Sequence, residues 1–417
     1  MKLNRQPYKN KSETEFVMTS IYPLTSQADS YLEELAESLS VTETAYAAAE
    51  RSYTSLGNWL CRDQSSVKAY NPKVYVQGSF ALGTTLRPIT EDGEYDLDSV
   101  CEFQALAMGQ LTQEDLKIHL GREVEAYRKS RSMEKPLHES RRCWTLHYAD
   151  EARFHMDIVP ALPNGHRLRV LLEQASLKTD LANSGIVITD NERLDYRMIT
   201  DQWPRSNPLG YVEWFKQKIE IQFQQRMRVL AEAAKASVED IPEYRVRTPL
   251  QGAIILLKNH RDRRCDAEPC DRPISIILTT LAARAYKSEA TIGQALATIL
   301  DTMDDYIEQR GQIAWVSNPS DPFENFADKW AEFPQREAAF HAWLAKARRD
   351  FAALARETDR QRIVEIAKSA AGETAVRRVD ETFRGGGRGT RAAGAAPAAG
   401  LAFPNTPRVP ASPRGFA

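Results

Sequence analysis

Apolar residues recur at helical spacing from about Ser26 to Leu60, where Tyr31, Leu32, Leu35, Leu39, Tyr46, Tyr53 and Leu56 mark one face of a long amphipathic helix. The period then changes. Asn71-Pro72 signals a turn, and Lys73 to Gln77 reads as a short strand. Pro88 to Gly93 reads as an acidic connector, and Glu94 to Phe103 is strand-like. Cys143 to Tyr148 and Arg153 to Pro160 read as two strands joined in a hairpin around Ala149-Asp150-Glu151. Between these strands, Thr112 to Arg131 predicts an amphipathic helix, with Thr112 as its cap and Glu114 and Asp115 in its first turn. Beyond Pro163 the strand signal fades. The stretches Leu209–Ala236, Pro249–Asp262, Ile274–Tyr286, Ile292–Gln309 and Arg336–Leu354 all carry the helical period. The chain reads as α+β in its first half and nearly all-α in its second, with no internal repeat.

Composition alters this picture at the C-terminus. From Arg384 to Ala417, Gly, Ala and Pro dominate, acids are absent, and five arginines carry all the charge. Such a segment buries too little apolar surface to offset its ordering entropy, so a disordered basic tail is expected. The whole chain of 417 residues is 42% hydrophobic and 27% charged, which suits a soluble globular protein. A net charge of −2 creates no global basic field, so charge gives no strong nucleic-acid signal. No apolar run reaches the ~18 residues of a membrane span, and the polar, basic N-terminus lacks the apolar centre of a signal peptide. A cytoplasmic location without membrane association is expected. Cys61, Cys101, Cys143, Cys265 and Cys270 are scattered, which predicts reduced thiols.

Candidate chemistry concentrates between Val76 and Asp98. A short apolar strand runs into the Gly78-Ser79 turn, and the next strand carries Asp96 and Asp98. Two residues apart on a strand, these carboxylates share a face and repel unless a cation sits between them. A divalent metal fills that need, and phosphates on the Gly-Ser turn supply its remaining ligands. A third acid, Asp157, is polar within the apolar stretch Phe154 to Pro160, a costly position without a partner. Each feature also has a plain reading, since paired acids on solvated strands and Gly-Ser turns are common. Their combination points to a metal-dependent enzyme acting on nucleoside triphosphates.

Gly-Ser, then Asp-x-Asp, then a third Asp on a later strand resembles the DNA polymerase β-like nucleotidyltransferase superfamily. Within it, Gly78-Ser79-Phe80-x-x-Gly83-Thr84 and the strand Asp157-Ile158-Val159-Pro160 resemble the cGAS/DncV-like nucleotidyltransferases (CD-NTases) of bacterial CBASS anti-phage defence. The resemblance implies a bilobed α+β fold with a long spine helix. It divides the chain into an N-terminal extension (1–25), a catalytic core with a mixed sheet (26–205), a helical C-terminal lobe (206–383) and a disordered tail (384–417). It also implies that Lys258 and Ser275 hold the donor triphosphate. Each has a plain alternative: Lys258 at its helix edge, Ser275 as a helix cap. Where cGAS carries an aromatic after this serine, Ile276 stands here, so base stacking must come from elsewhere. The motifs around Asn318-Pro319 and Pro322 to Phe326 are also similar to the family's C-terminal lobe, without an assigned role.

The implied reaction is nucleotidyl transfer with two Mg²⁺ (or Mn²⁺) ions on Asp96, Asp98 and Asp157. ATP and other NTPs are the implied substrates. A cyclic di- or trinucleotide that activates an abortive-infection effector is the implied product. Family members encoded beside ubiquitin-like E1/E2-type transferases are conjugated at their C-terminus, which makes Ala417 the matching position here; a plain disordered end is the alternative. Two rivals stand beside this reading. One is another polymerase β-like transferase, modifying RNA, protein or a small molecule. The other is an inactive nucleotide-binding module. His260, Cys265 and Cys270 suggest a partial zinc site, but a fourth ligand is missing and the spacing fits no zinc pattern. Arg261, Arg263 and Arg264 read as a solvated charge run, or as lining of the nucleotide cleft.

Overall fold

The computed structural model describes residues 24–88, 93–148, 154–241, 243–268 and 270–386. Most of the expected N-terminal extension, the hairpin turn at Ala149-Asp150-Glu151 and the tail from residue 387 to Ala417 lie outside the described residues.

The amphipathic stretch from Ser26 to Leu60 is two helices, α1 (Ser26–Ser38) and α2 (Glu43–Leu60), rather than one spine. Thr42 causes the break. Its backbone is extended (ψ 154°) and its side chain accepts the Ala45 N–H, which starts a new helix. The period survives the break, which is why the pattern reads as continuous. The two halves serve different cores. Helix α1 buries Tyr31, Leu32 and Leu35 among the later helices. Helix α2 buries Tyr46, Tyr53, Leu56 and Leu60 against the sheet.

The sheet is built from β1 (Pro72–Val76), β2 (Tyr95–Phe103), β3 (His138–Glu139), β4 (Trp144–Tyr148), β5 (Phe154–Pro163), β6 (Ile186–Ile188) and β7 (Arg205–Ser206). Its order is β1-β2-β5-β4-β3, with β6 pairing the far end of β5 and β7 pairing β6. Only the central β2–β5 pair is parallel. Helix α3 (Gly78–Leu82) follows β1 directly. Helix α4 (Gln113–Ser130) starts at Thr112, whose side chain and that of Asp115 cap each other's backbone N–H. Leu97, Cys101, Leu146, Met156 and Ile158 alternate onto the face covered by α2 and α4. The intervening residues therefore point to the opposite face. Helix α5 (Gly165–Gln174) follows β5.

The helical part opens with α6 (Pro208–Ala234), α7 (Pro249–Ala267), α8 (Ser275–Ala285) and α9 (Ile292–Thr302). Helix α7 is central and buried on nearly every side from Leu250 to Arg261, as a weakly amphipathic apolar helix must be. The expected helix to Gln309 stops at Thr302. Two small hairpins follow, β8 (Glu308–Arg310) with β9 (Ile313–Trp315) and β10 (Ser317–Asn318) with β11 (Asp321–Asn325). They are additions to a half read as nearly all-α; strands of two to five residues are too short to impose a readable period. The described residues end in α10 (Asp328–Glu332), α11 (Pro334–Ala355), α12 (Arg360–Ala371) and α13 (Glu373–Gly386).

The thiol expectation also needs correction. Cys265 and Cys270 form a disulfide, because the chain turns back after α7 and brings the pair together. Cys61, Cys101 and Cys143 are free. Both ring nitrogens of His260 are taken by protein partners: Trp343 Nε1–H donates to Nδ1 (3.1 Å) and Nε2 bonds Asp350 (3.0 Å). Among the described residues, no helix is long and apolar enough to cross a membrane.

Helix α4 approaches the sheet at Gly121. A Cβ there would lie 2.4 Å from the Trp144 ring, which is itself held by donating to the Lys117 carbonyl (2.8 Å). Replacing a helical Gly by Ala gains about 1 kcal/mol of propensity, whereas overpacking costs about 1–3 kcal/mol. The clash should win. Gly121→Ala is expected to destabilise the protein by up to about 2 kcal/mol in denaturant titration; a stabilised variant would contradict this packing.

Candidate active site

The strand register places the candidate residues in two rows on the sheet face away from α2 and α4. Asp98 lies opposite Asp157, and Asp157 lies opposite Thr145 on the other side. In the neighbouring row Asp96 lies opposite His155, and His155 opposite His147. One oxygen from each of Asp96, Asp98 and Asp157 falls within 4.8 Å of the others, the one such acidic or His/Cys-bearing group among the described residues.

Asp98 sits between the other two acids, and its surroundings oppose its ionisation. Burial, then the charges of Asp96 and Asp157, push the Asp98 carboxyl up to about 7. Asp157 is anchored by the Thr145 hydroxyl, which donates to Oδ1 at 2.6 Å. Asp96 faces His155 Nε2 at 3.3 Å, and this hydrogen bond raises the imidazole above its ordinary value. Glu94 Oε2 lies 3.0 Å from His147 Nδ1 and 3.5 Å from His155 Nδ1. Burial and nearby Asp157 push the Cys143 thiol up to about 12. An all-carboxylate cluster fits a hard divalent cation with oxygen ligands.

The Gly-Ser turn packs directly on this cluster. Gly78 has φ +63°, and a Cβ on it would meet Asp98 Oδ2 at 2.1 Å. Only glycine satisfies both conditions. The Gln77 N–H donates to the Asp98 carbonyl at 2.9 Å, tying the turn to β2. The Thr85 hydroxyl donates to Ser79 Oγ at 2.8 Å, and the Thr84 N–H donates to the Ser79 carbonyl at 2.9 Å.

Across the cleft, α7 brings Lys258 to the same loop. Its buried ammonium donates to the Thr84 carbonyl and hydroxyl, both at 3.2 Å. Burial, then the Arg261 charge, lower it to about 8, against the pull of Asp262, Asp98 and Asp96. Ser275 is the first residue of α8 rather than its cap, which is Ile274. Ser275 Oγ accepts from Arg261 Nη1 at 2.9 Å. Arg261 is 6% exposed, so it is no part of a solvated run. Gly78, Ser79 and Lys258 thus lie on the Asp98 side of the loop, and Ser275 bonds Arg261, which stands three residues along α7 from Lys258. Gln251 adds a second tie across the lobes by donating to the Leu82 carbonyl at 2.9 Å.

Thr145, His147, His155, Glu94 and Thr85 were not singled out as site residues from the sequence. Counting by two from Asp157 and Asp98 finds His155 and Glu94. Thr145 and His147 need the exact register of the β4–β5 hairpin, which the expected turn at Ala149-Asp150-Glu151 leaves open.

The raised Asp98 has a signed consequence. Between pH ~4 and ~7 the folded state keeps a proton that the unfolded chain releases, so the metal-free protein loses stability as pH rises through that window. Asp98→Asn removes this term. In EDTA the variant should exceed wild type in stability by about 1–2 kcal/mol at pH 8, with the gap narrowing at pH 5. Thermal melts at both pH values check this; parallel pH responses of the two proteins would contradict it.

Residues 72–160 match the family described as cyclic GMP-AMP synthase DncV-like, nucleotidyltransferase domain. A c-di-GMP synthase of Roseivirga ehrenbergii is 28% identical over 331 residues, covering 77% of this chain and 79% of that protein. The cyclic dinucleotide synthase CdnG of Bradyrhizobium diazoefficiens is 27% identical over 341 residues, covering 77% of this chain and 74% of that protein. The solved structure of the Bradyrhizobium diazoefficiens CD-NTase CdnG in complex with GTP superposes with a TM-score of 0.63 at 23% identity. That superposition covers 86% of this chain and 99% of the other, and it attests the fold. With the acidic cluster and the Gly-Ser turn in place, residues 72–160 carry a DncV-like nucleotidyltransferase domain, in a chain similar over about three quarters of its length to cyclic dinucleotide synthases.

Proposed function

We propose that the chain is a cyclic oligonucleotide synthase that joins nucleoside triphosphates, GTP among them, into a cyclic dinucleotide. The observation that carries this reading is the Asp96/Asp98/Asp157 cluster against the Gly78-Ser79 turn, in a chain whose curated relatives are cyclic dinucleotide synthases. Asp96, Asp98 and Asp157 would hold two divalent cations, Mg²⁺ foremost, which when bound neutralise the donor's phosphates and acidify the acceptor ribose hydroxyl.

The protein's own groups then position and complement charge. The Gly78 N–H and the Ser79 hydroxyl receive the terminal phosphates. Because Thr85 donates into Ser79 Oγ, the serine's own proton is left to point outward. The same holds on the opposite wall, where Arg261 donates into Ser275 Oγ. Lys258, parked on Thr84, adds a cation beside the turn. No protein nucleophile is required. Presence of all three acids in one cluster favours this reading over an inactive binding module. Use of the product to activate an anti-phage effector, and conjugation of Ala417 by a ubiquitin-like transferase, rest on the family resemblance alone.

Incubation of the full chain with Mg²⁺ and GTP, or an NTP mixture, should give a cyclic dinucleotide by liquid chromatography and mass spectrometry. Asp96→Ala should lower synthesis more than about 100-fold, as loss of roughly 3 kcal/mol of transition-state stabilisation implies. Substantial product from that variant would sink the assignment. Lys258→Met should raise KM for GTP by roughly tenfold with a smaller change in kcat. An unchanged KM would remove Lys258 from the phosphate site.

A further inference from the structure

Each carboxylate of the cluster needs something to hold it. Asp98 is packed against the Gly78 backbone, and Asp157 is anchored by Thr145. Asp96 is the exposed one, with a side chain 60% accessible. A carboxylate left free there would have to surrender its rotamer entropy on taking up a cation. Among the described residues its one ion-pair partner is His155, at 3.3 Å from Oδ1.

That contact follows from the register, since Asp96 and His155 lie directly opposite on parallel strands. The ring is oriented in turn. Glu94 Oε2 faces His155 Nδ1 at 3.5 Å and His147 Nδ1 at 3.0 Å, while Lys135 pairs with the other Glu94 oxygen. With the Glu94 carboxylate on one ring nitrogen, the other is directed at Asp96. One carboxylate oxygen of Asp96 is then held, and the second is available to the cluster.

We propose that His155 is a positioning residue that pre-sets the Asp96 carboxylate for divalent-cation capture, with Glu94 and His147 orienting its ring. This rests on the metal-dependent reading given above. Outer partners of metal-binding carboxylates act on affinity as well as on rate, typically by about 10–100-fold when removed. The plain alternative is a solvated salt cluster whose loss leaves metal binding alone.

The test is a titration of the full chain with Mn²⁺ alone, following the free-ion electron paramagnetic resonance signal, with folding checked by thermal melts. His155→Ala should weaken Mn²⁺ binding by about tenfold or more, and Asp157→Asn should weaken it severely. His155→Gln places an amide N–H near the Nε2 position and should stay within about threefold of wild type, whereas the shorter His155→Asn should resemble the Ala variant. The Gln/Asn contrast decides the matter even if the Ala variant does not fold. Wild-type affinity in a folded His155→Ala or His155→Asn protein, beside a weakened Asp157→Asn, overturns the positioning role and leaves the metal site standing. Absence of any Mn²⁺ binding that Asp157→Asn removes overturns both.

Discussion

Mutual repulsion of three carboxylates on one sheet face is the constraint around which the rest is arranged. Asp96, Asp98 and Asp157 are brought within 4.8 Å by strand register, not by their own attraction. The register is held by the opposite face, where Leu97, Met156 and Ile158 are sealed under α2 and α4. A slip of one residue would drive the acids into that core, so the apolar side enforces the polar one. The acids cost stability, and the core opposite them offsets it.

The helical lobe supplies the complementary charge. Lys258 sits on a helix buried on nearly all sides, so its position is rigid and its ammonium has few choices beyond Thr84 and the nearby acids. Arg261, one turn on, carries the arrangement to Ser275. The break at Thr42 suits this two-lobed design. Each half of the N-terminal helical stretch packs in a separate core, and α3, which begins at the Gly-Ser turn, lies where the two meet through Ala81.

Much of the site was legible because its signals are local. Gly78-Ser79, Asp96-x-Asp98 and Asp157 each declare themselves within a few residues, and period-two alternation places the acids on one face. Thr145 and His147 were silent because their meaning depends on the exact register of the β4–β5 hairpin. The break at Thr42 was hidden because the apolar period continues across it. The hairpins after Thr302 were missed because strands so short carry no period. The Cys265–Cys270 disulfide was missed because scattered spacing says nothing about a chain that turns back on itself. Arg261 admits two readings from sequence, a solvated run or cleft lining, because in a run of arginines only the helix phase decides which one turns inward.

A crystal structure of the full chain with Mn²⁺ and a non-hydrolysable GTP analogue tests the central claim most directly. Anomalous density should lie among the carboxylates of Asp96, Asp98 and Asp157, with the terminal phosphates on Gly78 and Ser79 and the Lys258 ammonium within reach. Manganese elsewhere, or a triphosphate bound away from the Gly-Ser turn, would contradict it.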